Sequence, residues 1–234
     1  MSAEVLVVRC GLVPYEEARV AQRWLREARQ EGAIADVLLL LEHPPVYTRG
    51  RRSSAEELPM AVEWYEMQGI EVRETDRGGR VTYHGPGQLV AYPIVSLKPY
   101  GDDVHEHVRR LERVAISSLA EYGVEARTID GLTGVWTREE ARKIGSIGVH
   151  VSRGVTTHGL AINVNNDLQP FEWIVPCGIE GCQVTSLGRE LGSEQDLDAF
   201  ANTVSARYGE AFERDPTPAD PAALGLDSAR LGVR

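Results

Sequence analysis

Cys177 stands between Pro176 and Gly178 in VPCGIEGCQVTSL (175–187), a segment whose proline and glycines turn the chain. A thiol held on a turn is available for nucleophilic chemistry if a base or a positive charge favours the thiolate. The other reading open to any cysteine is a small buried hydrophobe, and Cys10, inside an apolar run, reads that way. Cys182 follows Cys177 by five residues, so a shared metal or a disulfide has to be weighed. A zinc site takes three or four ligands at recognisable spacing, and neither a second cysteine pair nor clustered histidines accompany this one. Lys143, heading KIGSIG, is one of only two lysines, the other being Lys98, against 23 arginines. Where arginine meets nearly every need for charge, a lysine suggests a group that exchanges a proton; surface chance is the alternative. His84 and His158, each followed by glycine, are rival bases or packed structural histidines. His43, before Pro44 and Pro45, reads as a turn residue.

A second segment, DRGGRVTYHGPGQ (76–88), could bring backbone close to a ligand through Gly78, Gly79, Gly85 and Gly87. Arg77 and Arg80 could hold a carboxylate or phosphate there. A plain hairpin explains the same glycines. No GK[ST] follows and GxGxxG is absent, so neither a nucleotide P-loop nor a dinucleotide fingerprint is present.

The elements that position these segments follow from periodicity. VLVV near the start favours a strand. Behind Pro14, Ala18, Ala21, Trp24, Leu25 and Ala28 recur at helical spacing up to Gly32. VLLLLE (37–42) is apolar throughout, as expected of a central strand covered on both faces, and LEHPPVYTRGRR (41–52) reads as a loop. A short helix is expected over 62–68. A longer one, capped by Asp102 or Asp103, carries Val104, Val108, Leu111, Ala115, Leu119 and Tyr122 before Gly123. Strand-like pieces follow at 124–129, 133–136, 143–151 and 157–165. Leu197, Phe200, Val204, Tyr208 and Phe212 mark a final helix. The pattern predicts one α+β domain over 1–214 with a mixed sheet, a small subdomain from about residue 180 being an alternative.

The chain has 234 residues and a formal net charge of −10, half of it between Glu190 and the C-terminus. That balance disfavours a non-specific nucleic-acid binder. Residues 215–234, Pro/Ala-rich and acidic, read as a loosely held tail. No apolar run nears the roughly 18 residues of a membrane helix, no signal peptide opens the sequence, and three cysteines suit a reducing cytoplasm.

LEHPPVYTRGRR, DRGGRVTYHGPGQLVAYPI, GVWTREEARKIGSIGVHVSRGVTTHGLAINVN and VPCGIEGCQVTSLG, in that order, closely resemble the lipoyl(octanoyl) transferase family over about residues 5–200. The resemblance implies the mixed sheet flanked by helices of the biotin- and lipoate-protein ligases. It implies transfer of an octanoyl group from octanoyl-acyl carrier protein to a lysine of lipoyl domains, those of 2-oxoacid dehydrogenase E2 subunits and the glycine cleavage H protein. Cys177 matches the family's acyl-thioester nucleophile and Lys143 the lysine that lowers its pKa. The acyl site maps onto Arg77, Gly78, Gly79, Arg80, Val81, Thr82, Tyr83 and His84, onto Ser146, Ile147 and Gly148, and onto Gly159, Leu160 and Ala161. Candidate oxyanion donors are the backbone at Gly78–Gly79 or 145–148. No metal or cofactor is expected, because the donor thioester is already activated. A monomer is expected. Since both protein partners are typically acidic, docking would rely on a basic patch of Arg49, Arg51, Arg52, Arg77 and Arg80.

Overall fold

Helix ends and strand faces follow from local chemistry. The computed structural model describes residues 3–179, 181–226 and 231–232. Strand β1 (Ala3–Leu12) leads through Pro14 into helix α1 (Tyr15–Gln30), then β2 (Asp36–Glu42) and β3 (Val46–Arg49). Helix α2 (Val62–Met67), β4 (Glu71–Glu74), β5 (Thr82–His84) and β6 (Gln88–Ile94) follow. Of the two aspartates able to cap α3 (Val104–Glu121), Asp103 does so, accepting the N–H groups of His105 and Glu106 at 2.8 and 3.1 Å. Four strands come next: β7 (Ala126–Ile129), β8 (Leu132–Thr137), β9 (Lys143–Ser152) and β10 (Val155–Asn163). The chain continues through α4 (Leu187–Leu191) and α5 (Leu197–Phe212), the latter capped by Asp196, into β11 (Arg214–Pro218).

Eight strands form one sheet in the order β11-β1-β2-β6-β10-β9-β8-β7, and β4-β3-β5 form a small second sheet. β11, β1 and β2 run parallel, and the pairings from β2 onward are antiparallel, so the large sheet is mixed as expected. The all-apolar β2 is explained by its two covered faces. Val37, Leu39 and Leu41 meet Ala18, Ala21 and Leu25 of α1, whereas Leu38 and Leu40 face α3 and α5 through Leu111, Phe200 and Val204. Each such side chain contributes roughly 1.5–3 kcal/mol by leaving water.

Four expectations change. Trp24 is 46% exposed and donates its indole N–H to Leu224 O at 3.1 Å, so it covers the C-terminal segment instead of joining the core face of α1. Residues 46–49 form β3 within the stretch expected as a loop, because Val46 is buried and Tyr47 packs into the small sheet's own cluster. The 76–88 segment is not a hairpin: β5 pairs with β3, and β6 pairs with β2 and β10, so the chain crosses between sheets there. The region beyond 180 does not stand apart, since Phe200, Val204, Tyr208 and Phe212 share one cluster with the strands.

The C-terminal segment is also docked where a loose tail was expected. β11 pairs with β1 from Ala3↔Arg214 to Val7↔Pro218, and Leu226 and Leu231 are buried beside α1. Asp36, itself buried, accepts from Arg29 at 2.7 Å, from Ser96 N–H at 3.0 Å and from Arg214 at 3.5 Å, which ties β11 to the sheet. Proline and alanine content reports low core-forming capacity but not an unfilled sheet edge elsewhere. Leu226→Ala is expected to cost about 2–3 kcal/mol. Urea unfolding measures it, and an unchanged midpoint would mean that the segment adds nothing to stability.

Candidate active site

The glycine-bearing segment is held between the two sheets by a buried guanidinium. Arg77 Nη2 donates to Thr48 O at 2.6 Å and to Thr48 Oγ1 at 2.8 Å, and its Nη1 donates to Gly78 O at 3.0 Å. Backbone bonds extend the seam: Arg51 N–H to Arg77 O and Arg52 N–H to Gly79 O, both 3.0 Å, and Gly78 N–H to Val149 O of β9 at 2.9 Å. That last bond uses the Gly78 donor and removes it from the candidate oxyanion groups. The approach is too close for side chains. A Cβ on Gly50 would lie 2.7 Å from Arg77 Nη1, and one on Gly148 would lie 2.8 Å from Gly78 O.

Beneath this seam lies a cavity of about 730 Å³. Its walls include Arg77, Gly78, Gly79, Arg80, Thr82 and His84 from the crossing segment, Ser146, Ile147 and Gly148 from β9, and Gly159, Leu160 and Ala161 from β10. The structure therefore brings together three separated stretches of the acyl site implied by resemblance. Val81 and Tyr83 differ. Alternation turns their side chains into the aromatic cluster with Tyr47 and Phe171, and neither lines the cavity. Sequence reasoning missed Tyr15, Val90 and Tyr92, the α3 residues Val104, His105 and Val108, and the Gly131–Thr133 turn, all of which line the cavity. Helical periodicity did place Val104 and Val108 on one face of the helix but did not mark that face as a cavity wall.

The histidines act as struts. His43 is fully buried, with Nδ1 2.7 Å from Val13 O and Nε2 2.8 Å from Tyr92 Oη. A carbonyl only accepts, so Nδ1 carries the proton and Nε2 receives the tyrosine hydroxyl. His84 Nδ1 lies 2.7 Å from Gln88 Oε1, whose amide in turn donates to Tyr83 O and Asn163 Oδ1. Burial pushes His43 down to about 4 and His84 well below its ordinary value, so both are neutral supports at pH 7. His158, with a left-handed φ of 57°, places Nε2 2.7 Å from Asp76 Oδ1. The bond from His158 holds Asp76 below the usual carboxylate range, and burial lowers His158 despite that partner. The backbone strain and the hydrogen bond to Asp76 mark His158 as a built part of the cavity wall.

Lys143 opens β9, is buried, and sets Nζ 3.5 Å from Thr133 O and 4.8 Å above the Trp136 ring centroid. Its backbone is clasped by the segment after Cys177: Lys143 N–H donates to Gln183 O at 2.7 Å, and Thr185 N–H to Lys143 O at 2.9 Å. Cys177 belongs to the turn Pro176–Gly178, and its side chain lies outside the described residues. Its neighbours Gly178 and Ile179 line the cavity. Cys10 is buried, and desolvation pushes its thiol up to about 12, as suits a core residue. Cys182 is half-buried, with Sγ 3.8 Å from Gln183 O. Among the described residues no cluster of three His, Cys, Asp or Glu could hold a metal, and no helix is long and apolar enough to cross a membrane.

The expected basic patch is reduced. Arg77 is buried, Arg80 is paired with Glu57, and Arg49 with Glu74 at 2.7 Å, which leaves Arg51 and Arg52 as the patch's exposed arginines outside these pairs at the cavity.

The fold is shared with solved lipoate-protein ligases. Over 99% of this chain and 98% of theirs, it matches a bi-partite lipoate protein ligase from Thermoplasma acidophilum, with TM-score 0.75 and 17% identity. It matches an ATP-bound lipoate-protein ligase A over the full length of both chains, with TM-score 0.72 and 17% identity. An octanoyltransferase of Chloroflexus aurantiacus is 48% identical over 207 residues, 88% of this chain and 93% of that protein. One from Roseiflexus sp. is 44% identical over 211 residues, 90% of this chain and 88% of that protein. The lipoyl protein ligase A/B catalytic domain family matches residues 14–209. The chain belongs to that family and, within it, to the octanoyltransferases; it is an acyltransferase.

Gly148→Ala tests the seam. Its Cβ must displace Gly78 O or the Arg77 side chain, and a shift of about 1 Å in a reactive geometry costs on the order of 100-fold in rate. Octanoyl transfer is expected to fall by about 10- to 100-fold while the protein stays folded. A wild-type rate would separate the crossing segment from the chemistry.

Proposed function

We propose that this octanoyltransferase moves an octanoyl group from octanoyl-acyl carrier protein to a lysine of lipoyl domains through a thioester on Cys177. The acceptors are the lipoyl domains of 2-oxoacid dehydrogenase E2 subunits and the glycine cleavage H protein. The observation that carries this reading is the cavity itself. Glycine-rich and apolar walls from β9, β10 and the crossing segment meet the backbone of Gly178 and Ile179, next to Cys177. An octanoyl chain fits such walls, and burial at about 0.8 kcal/mol per methylene supplies several kcal/mol of binding.

In the first half-reaction the Cys177 thiolate attacks the thioester carbonyl. The carbon–sulfur bond to the carrier breaks, and the carrier thiol leaves with a proton. In the second, the acceptor lysine amine attacks the Cys177 thioester, the amide forms and Cys177 is regenerated. Lys143 donates a proton to the first leaving thiolate and takes one from the attacking amine, so it ends each cycle as it began. Backbone clasping of Lys143 by residues 183–185 supports this pairing, because it anchors the chain just past Cys177 to the base of β9. His84 and His158 support the cavity wall and do not exchange the proton. Arg51 and Arg52 offer the positive charge that an acidic carrier or lipoyl domain would meet at the mouth.

Intact-mass measurement after incubation with octanoyl-acyl carrier protein, without ATP, tests the thioester. Wild type is expected to gain one octanoyl group and Cys177→Ser none. No adduct, with ATP-dependent acylation of a lipoyl domain instead, would replace this reading with an adenylating ligase of the same fold. Lys143→Arg keeps the charge but does not exchange a proton near neutrality. A loss of on the order of 100-fold or more in turnover is expected, in line with general acid–base contributions. Near-normal turnover would reduce Lys143 to a fixed charge.

A further inference from the structure

We propose that Glu57 is a positioning residue that sets the reactive turn at Cys177 from both sides; this rests on the thioester reading above. Glu57 closes the short turn Ala55–Glu57 and is 2% exposed. Its Oε2 accepts Val81 N–H at 3.0 Å, and Oε1 is ion-paired with Arg80, so the carboxylate grips the crossing segment. Its backbone carbonyl accepts Val175 N–H at 3.0 Å, two residues before Cys177. Arg80, held by that carboxylate, lies flat against Gly178, one residue after Cys177. A Cβ on Gly178 would lie 2.6 Å from Arg80 Cδ and 2.9 Å from Arg80 Nε. Gly178 has a left-handed φ of 68°, so the turn that presents the thiol depends on a glycine closed over by an arginine. One buried acid thus fixes the chain before Cys177 directly and the chain after it through Arg80.

Stability alone does not account for the pair. Arg80 is 45% exposed, and an ion pair with one partner in solvent typically contributes no more than about 1 kcal/mol. Val81 belongs to the crossing segment, Val175 and Gly178 flank Cys177, and Glu57 binds or backs all of them. None of these contacts reaches a reacting atom, so the effect of Glu57 passes through the geometry of the turn.

The test uses the full chain and compares wild type, Glu57→Gln, Arg80→Met, their double variant and Arg80→Lys. Glutamine can still accept the Val81 N–H but cannot pair with Arg80. Time-resolved intact mass after mixing with octanoyl-acyl carrier protein gives the acylation rate constant and the donor KM. Both single variants are expected to acylate about tenfold or more slowly, with the donor KM changed less than about twofold. The double variant is expected to be no slower than the slower single one, as for two groups acting as a unit, and Arg80→Lys to recover part of the rate. Acylation constants within about twofold of wild type in folded single variants would overturn the proposal. So would a loss that only tracks the folded fraction seen by circular dichroism. If Glu57→Gln does not fold, Arg80→Met, whose parent side chain is partly exposed, decides alone. If wild type gains no octanoyl, the thioester reading fails, and iodoacetamide alkylation of Cys177 judges the bracket separately. Altered alkylation rates in the variants would then support it, and equal rates would overturn it.

Discussion

A single buried guanidinium holds two sheets at the distance the cavity requires. Arg77 is spent on Thr48 and Gly78, and the backbone bonds on either side of it join residues 50–52 to 77–79 and Gly78 to β9. Removing that charge would take from Thr48 O and Oγ1 the guanidinium donors they accept, a loss typical of broken buried networks. The glycines follow from the same constraint. Gly50, Gly148 and Gly159 sit where a methyl group would enter another backbone or side chain, so the segments touch main chain to main chain. The cavity below is shaped by backbone, with few movable side chains in the seam.

The electrostatics follow a similar economy. Three buried histidines, His43, His84 and His158, crowd the region around the cavity, and burial keeps them neutral. Their ring nitrogens are used for bonds to Val13 O, Gln88 and Asp76 that fix tyrosine, glutamine and loop positions. Other basic side chains stand apart from these histidines, Lys143 against an aromatic face and Arg51 and Arg52 on the rim. In the proposed reaction, proton exchange, structural support and long-range attraction fall to different residue types, and a lysine at 143 in a chain so rich in arginine fits that division.

Much of this was legible from residue types. The helices at 15–30, 104–121 and 197–212 follow from apolar spacing and their caps, and β2 from its unbroken apolar run. The stretches lining the cavity were legible through resemblance, not through spacing, since glycine and proline mark ordinary turns equally well. What stayed hidden depends on contacts distant in sequence. The role of Glu57 requires knowing that residues 57, 80 and 175 meet. The outward turn of Val81 and Tyr83 requires knowing which sheet β5 joins. Val104 and Val108 show the same limit from the other direction, because helical periodicity cannot distinguish a core face from a cavity wall.

The β11 edge has a further implication for the protein in crowded solution. Ala219 N–H bonds to Val7 O, so alternate residues back along the strand, Thr217 and Asp215, turn their N–H groups toward β1. Pro216 and Pro218 then occupy the positions whose amide nitrogens point away from the sheet, and proline nitrogen has no hydrogen to offer. An extended segment from another molecule that approached this margin would find acceptors without matching donors. The residues that looked like a loose end are therefore a terminating strip, one that lets a large sheet finish without inviting a stranger to extend it.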